Sequence, residues 1–302
     1  MRHSIFRINS IFISSAIAFI ACGCSAAEEF RRQDQESEIR FELGFSGQTR
    51  VSANAFEIGD VTGLYMTEYS AGSPTPLQIS GNAVNNAALR FDGTSWTTSP
   101  TLYWDKGVKY DVYGYYPYSE SKPSSIGEYR ISVATDQTTP GTVESLGGYE
   151  ASDFLWAKTK GVRYPNTVNL AFSHRMSRLV VNIVKGENFE GEIPKDMSVK
   201  VYGTVVDALA DLGSGDVVKD PDGKTKIITM RKESDSSFSA IIVPQRIDSR
   251  QPLVEVITSN VAYLLESRFV FRPGVQHSID IVLDNDPEKV KIEIGGDIQG
   301  WN

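Results

Sequence analysis

Histidine, cysteine and a suitably placed serine are the residue types from which metal centres and nucleophile–base pairs are assembled, and this chain is poor in the first two. It has three His and two Cys in 302 residues. His3, Cys22 and Cys24 all fall at the N-terminal end, which leaves His174 and His277 for the rest. A zinc site takes three or four nitrogen or sulfur ligands, and two histidines do not supply them. A Ser-His-Asp arrangement needs a His oriented by a carboxylate and a Ser on a sharp turn. His174 sits in Phe172-Ser173-His174-Arg175-Met176-Ser177 with no G-x-S-x-G nearby, and reads as a hydrogen-bonded residue at a strand end or domain joint. His277 follows Pro273-Gly274 at a strand start and points to no chemistry. Carboxylates are numerous enough for a glycosidase-like pair, but no acidic residue is singled out by its neighbours. Asp284-Asn285-Asp286 and Asp220-Pro221-Asp222-Gly223 lack the spacing of an EF-hand loop and read as turns. No glycine-rich loop is spaced to cradle a phosphate. These residues describe a protein that is not an enzyme, with no catalytic residue, no cofactor and no metal.

Aromatic residues give the best candidate for binding. Tyr110, Tyr113, Tyr115, Tyr116 and Tyr118 lie within one stretch. Alternation puts Tyr110, Tyr116 and Tyr118 on one face of a strand and Tyr113 and Tyr115 on the other. Exposed rings of this kind stack on sugars, with Trp104 and Tyr116 as the candidate glycan contacts. Rings on both faces equally suit a central strand whose phenols reach polar partners. The charge balance excludes another class. Thirty Lys+Arg stand against 38 Asp+Glu, for a net charge of −8 and a pI near 5.1, which is no footprint for nucleic acid.

The elements that would position these side chains are strands. Ile39, Phe41 and Leu43 alternate with Arg40 and Glu42. Leu89–Phe91 and Ser95–Thr97 flank Asp92-Gly93 and read as a hairpin. Further strands are expected over Lys109–Tyr118, Tyr129–Val133, Phe154–Ala157, Thr167–Phe172, Arg178–Val184, Ser198–Val206, Lys226–Met230, Phe238–Val243, Leu253–Thr258, Tyr263–Phe271, His277–Leu283 and Val290–Ile294. Val205–Leu212 is the one candidate for a helical turn or two. The pattern is that of an all-β protein of two tandem β-sandwiches, residues 38–173 and 174–302.

The first residues read as an address. Arg2 and Arg7 precede an apolar run, Ile11–Ala21, that is too short to span a bilayer and reads as a signal peptide. Ala21-Cys22-Gly23-Cys24-Ser25 resembles the lipobox of bacterial lipoproteins, with Cys24 as the acylated residue and Cys22 as the runner-up. Cleavage at Ala26 or Ala27 would instead discard both thiols. On the first alternative, residues 1–23 are a lipoprotein signal peptide and 24–37 a polar, flexible tether. A multiply acylated N-terminus would hold the chain on a membrane. Glu28-Glu29 resembles the surface-export signal of Bacteroidetes lipoproteins.

Several ordered segments resemble one family. They are Ile39-x-Phe41; Thr49-Arg50; Phe56-Glu57-x-Gly59-Asp60-Val61-x-Gly63-Leu64-Tyr65; Tyr110–Tyr118; Asp153–Thr159; Val168-x-Leu170-x-Phe172-x-His174-x-x-Ser177-x-Leu179-x-Val181; and Ile298-x-x-Trp301. Together they resemble the fimbrillin-like proteins of the Bacteroidetes, the major/minor fimbrillin superfamily of surface pili. The resemblance implies transthyretin-like sandwiches, export as an outer-membrane lipoprotein exposed at the surface, and a place in a fimbrium as structural subunit or adhesin. It implies proteolytic removal of the first strand, with Arg50-Val51 as the cut ahead of Arg40 and Arg32. The vacated groove would take a strand from another fimbrillin-like subunit. Val290, Ile292 and Ile294, anchored by Ile298 and Trp301, are the donor candidates, although the same segment would equally complete its own sheet. A host or bacterial surface receptor is a further expected partner. The alternative is a surface glycan-binding lipoprotein of a nutrient-uptake system.

Overall fold

Alternation in the sequence becomes strand along most of the chain. The computed structural model describes residues 37–46, 55–121, 123–142, 145–187, 189–258, 261–284, 291–293 and 299–300. Cys22, Cys24, Arg50, Val51, Val290, Ile294, Ile298 and Trp301 lie outside the described residues. The first strands are β1 (Phe41–Phe45), β2 (Val61–Ser70), β3 (Ser73–Pro74), β4 (Val84–Phe91), β5 (Trp96–Thr98), β6 (Tyr110–Tyr116) and β7 (Tyr129–Ser132). Next come β8 (Leu155–Val162), β9 (Val168–His174), β10 (Ser177–Lys185), β11 (Ser198–Val205), β12 (Asp207–Ala210), β13 (Val217–Lys219) and β14 (Thr225–Thr229). The last are β15 (Arg231–Ser234), β16 (Ser237–Ile242), β17 (Gln245–Thr258), β18 (Val261–Phe271), β19 (Val275–Leu283), β20 (Lys291–Glu293) and β21 (Gln299–Gly300). Among the described residues the helical content is one 3-10 turn, Glu150–Ser152.

An eight-stranded sheet runs β1-β9-β8-β6-β2-β4-β5, with β3 beside β2. It curls until β1 comes beside β5. Ile39, Phe41, Leu64, Met66, Leu89, Trp96, Val112, Val168, Leu170 and Phe172 fill the interior of that curl as a first core. The other face of its middle strands sends Tyr65, Tyr113 and Tyr115 into a second core. β6 therefore splits its tyrosines as alternation requires, Tyr110 and Tyr116 to one side and Tyr113 and Tyr115 to the other. Tyr118 departs from the expectation and packs on the second core. The strand ends at Tyr116, because Pro117 has no N–H for the ladder, and the alternation ends with it.

The second core lies between a six-stranded sheet, β15-β16-β10-β19-β20 with β21 also on β19, and a four-stranded sheet, β14-β11-β17-β18. Leu179, Val181, Phe238, Ile279 and Ile281 of the first belong to the same buried cluster as Val199, Val201, Val254 and Val256 of the second. The chain leaves the eight-stranded sheet at His174 and enters the six-stranded one at Ser177. Val205–Leu212 does not form helical turns. It contains β12, which lies between β7 and β13, with Ala208, Ala210 and Leu212 buried at a period of two.

Candidate functional site: the edge strand β1 and its groove

β1 is the terminal strand of the eight-stranded sheet and pairs in parallel with β9, from Phe41 opposite Val168 to Phe45 opposite Phe172. Parallel pairing is slightly weaker per residue than antiparallel, so the ladder alone holds this strand modestly. Just before it, Ile39 N–H donates to the Leu102 carbonyl at 2.9 Å and Glu38 bridges Tyr103. Period two then decides what the strand buries. Ile39 and Phe41 are 5% and 7% exposed in the first core, with Leu43 and Phe45 packed against it. Arg40 and Glu42 face solvent. Burying side chains of this size contributes about 1.5–3 kcal/mol each relative to leaving them in water. Apolar sockets therefore hold β1 more than its hydrogen bonds do.

Aromatic rings close one end of the groove. Phe45 stacks on Phe56 at 5.0 Å and on His174 at 5.6 Å. Phe56 in turn meets Trp96, Phe172 and Tyr116 edge to face at 5.0, 5.4 and 6.0 Å. The loop after Phe56 explains why its neighbours are Glu57-x-Gly59-Asp60. Asp60 accepts the Glu57 N–H on one oxygen at 2.7 Å and the Tyr116 hydroxyl on the other at 3.1 Å. Gly59 adopts φ +98°, which a side chain would resist. Burial raises the Tyr116 phenol well above the ordinary tyrosine value, and the Asp60 carboxylate adds to that. The phenol therefore stays protonated and keeps donating.

His174 ends β9, and its Nδ1 lies 2.8 Å from Asp153 Oδ2. The flanking serines donate elsewhere, Ser173 to the Trp156 carbonyl and Ser177 to the Val275 carbonyl. The pair orients a ring that stacks on the edge strand. His277 is buried beside Phe269 and Phe271, and its Nε2 accepts the Arg272 N–H at 3.1 Å. Among the described residues no group of three or more His, Cys, Asp or Glu is placed to hold a metal.

The glycan contacts expected at Trp104 and Tyr116 need correction. Both rings are core side chains, 6% and 7% exposed, with Trp104 against Tyr110 at 5.9 Å and Tyr116 against Phe56. Neither offers a face to a sugar. At the other end of the chain, β20 lies antiparallel to β19 on the rim of the six-stranded sheet, with Ile292 opposite Ile281. The hub residue Phe56 is legible only as part of a motif, because it sits in a loop ahead of β2 and belongs to no alternating run.

The fimbrillin-like family model matches residues 49–301. The chain belongs to the fimbrillin-like family. A Bacteroides ovatus protein named as a fimbrium tip subunit is 23% identical over 197 residues, 59% of this chain and 35% of its own length. The chain thus spans about a third of that relative. Two solved structures named as cell adhesion proteins share the fold. One, from Bacteroides uniformis, has a TM-score of 0.66 at 20% identity and covers 88% of this chain and 99% of its own. The other, from Bacteroides ovatus, has a TM-score of 0.65 at 17% identity and covers 89% and 98%. The family is one of fimbrial proteins rather than enzymes.

Proposed function

We propose that the chain is a structural subunit of a fimbrium, or an adhesin carried by one, and that it joins its neighbours by strand exchange. In this reading a trypsin-like protease cuts between Arg50 and Val51, β1 departs, and a strand from another subunit takes its place. The observation that carries the reading is the position of β1 at the rim of its sheet, with Ile39 and Phe41 seated in the first core. A vacated groove would present unpaired N–H and C=O groups along β9 together with empty apolar sockets, and an incoming alternating strand satisfies both. The donor in this account is the C-terminal segment, with Val290, Ile292 and Ile294 as inserted residues and Ile298 and Trp301 as anchors. Before cutting, an acyl group on Cys24 would hold the precursor at the outer membrane. The folded part is read as two sandwiches, 38–173 and 174–302.

Trypsin treatment of the purified precursor tests the exchange. The expected product begins at Val51 and runs as a ladder on SDS gels without boiling, whereas a trimmed core that stays monomeric overturns polymerisation by this route. Cys24→Ala should abolish labelling by a palmitate analogue, and persistent labelling would move the lipid to Cys22.

A further inference from the structure

One end of the eight-stranded sheet gathers cations and two tyrosine rings, the exposed Tyr164 and the half-buried Tyr69, in a chain of net charge −8. β6 begins there and β8 ends there, with Tyr110 opposite Val162. The residues flanking this pair are Lys106 and Lys109 in the loop before β6, Lys160 near the end of β8, and Arg163 just past it, all exposed. The end of β2 joins them, since the Tyr69 N–H donates to the Lys109 carbonyl at 3.0 Å. Lys106 Nζ stands 5.5 Å from the centre of the Tyr164 ring, and Lys109 Nζ stands 6.0 Å from that of Tyr69. Tyr164 is 40% exposed.

The carboxylates of this region do not neutralise the four cations. Asp111 is buried and already engaged by Lys158 at 3.5 Å, by the Tyr69 hydroxyl and by the Gly161 N–H, both at 3.0 Å. Glu68 and Asp105 are the exposed acids nearby. Among the described residues, no carboxylate lies within ion-pair distance of Lys106, Lys109, Lys160 or Arg163. The backbone of Arg163 opens a turn in which the Asn166 N–H donates to its carbonyl at 2.9 Å.

We propose that this end, built by Tyr69, Lys106, Lys109, Lys160, Arg163 and Tyr164, binds an anionic polysaccharide whose carboxylate or sulfate groups pair with the cations. The rings choose a glycan over a bare polyanion. A tyrosine held beside an ammonium group presents an apolar face to the C–H side of a pyranose while its neighbour meets the acid group. The cations are exposed and spread over the end of β8 and the loops before β6 and after β8, which suits a ligand with repeated charges and gives binding that weakens as salt screens it. The site uses β2, β6, β8 and their loops. It does not depend on whether β1 is removed, so it stands or falls separately from strand exchange.

The experiment immobilises the full chain and measures binding of polygalacturonate (carboxylated), heparin (sulfated) and neutral dextran in low salt and in 0.5 M NaCl. At least one of the two acidic polymers is expected to bind in low salt and to be released by high salt, with dextran inert. Lys160→Ala/Arg163→Ala should weaken binding about tenfold, the loss of about 1.4 kcal/mol, and Tyr164→Ala should weaken it severalfold. Lys219→Ala/Lys226→Ala, on exposed residues of β13 and β14, should change nothing. If the first double variant fails to fold by circular dichroism, Lys106→Ala/Lys109→Ala replaces it with the same expectation. Absence of binding to both acidic polymers overturns the proposal. So does equal binding of dextran, an equal loss in the β13/β14 control, or tighter binding to anionic phospholipid vesicles through the same residues.

Discussion

The side-chain amide of Gln137 donates to the carbonyl of Ile241 and accepts from the N–H of the same residue, both at 2.8 Å. A side chain thus does what a strand residue does. β15 pairs with β16 only as far as Ser239, and the Gln137 amide supplies the next rung at Ile241. Gln245 repeats the device on Val205, donating to its carbonyl and accepting from its N–H at 2.9 Å each. Gln137 arrives on an extended segment in which β7 pairs with β12, Val133 N–H donates to the Val206 carbonyl, and Thr229 N–H donates to the Thr135 carbonyl. Residues from the first half of the chain therefore complete the ladders of the second.

Removing that amide should be costly for so small a change. Gln137→Leu keeps the volume but leaves the N–H and C=O of Ile241 buried without partners, at about 1–3 kcal/mol for each. Urea unfolding should show a lower midpoint with an unchanged slope. A variant as stable as the parent would mean that water or a local shift replaces the rung.

Much of this fold is legible in the sequence because half-buried strands alternate. The Asp92-Gly93 hairpin forms between β4 and β5, with Gly93 at φ +96°. β9 and β10 keep strict alternation of buried and less buried residues over most of their length. β2 is harder to read. Thr62–Thr67 is buried throughout, with Leu64 and Met66 in one core and Tyr65 in the other, so a strand covered on both sides loses its period. β12 reads as helical turns in sequence because its alternating buried residues are alanines, which favour helix where packing does not decide. In the groove, Ile39, Phe41 and Leu43 were readable from spacing. The Phe56–Phe45–His174 stack was not, because its rings come from separate segments of the chain. The Gln137 rung had no local signal at all.

Phe41→Ala should separate the role of β1 from that of the rest of the fold. In the uncut protein it empties a socket in the first core, and truncations of this kind cost about 3–5 kcal/mol. If processing removes residues 38–50, the trimmed product no longer contains Phe41, and the trimmed parent and variant should melt at the same temperature. A melting point lowered in the uncut protein and equal after trimming is the expected pair of results.

His277 makes stability depend on pH near neutrality. Burial lowers its pKa below the ordinary 6.5, and the nearby Arg272 charge acts in the same direction. The folded state therefore holds the ring neutral, with Nε2 accepting the Arg272 N–H. The unfolded chain takes up a proton as pH falls through 6.5, before the folded one does. The stabilisation is complete above 6.5 and is lost as pH falls toward and through the lower folded value. His277→Gln offers an acceptor without titrating, so the slope of unfolding free energy between pH 5 and pH 7 should be shallower in the variant. Equal slopes would assign the dependence to another group.

Gly63 is required by the ring across from it. It pairs with Tyr115 in the β2–β6 ladder, and a Cβ at this position would lie 1.9 Å from Tyr115 Cε1. The ring has little freedom to move aside, since its hydroxyl donates to Asn86 Oδ1 at 2.6 Å and it packs against the Tyr65, Tyr129 and Phe154 rings. Gly63→Ala should destabilise by about 1–3 kcal/mol or more, as overpacking does in a rigid core. The decisive measurement is a double-mutant cycle with Tyr115→Leu, which removes the clashing ring edge. If contact with that ring is the cause, the pair should cost less than the sum of the two single changes. Strict additivity would place the requirement for glycine in the backbone of β2 instead.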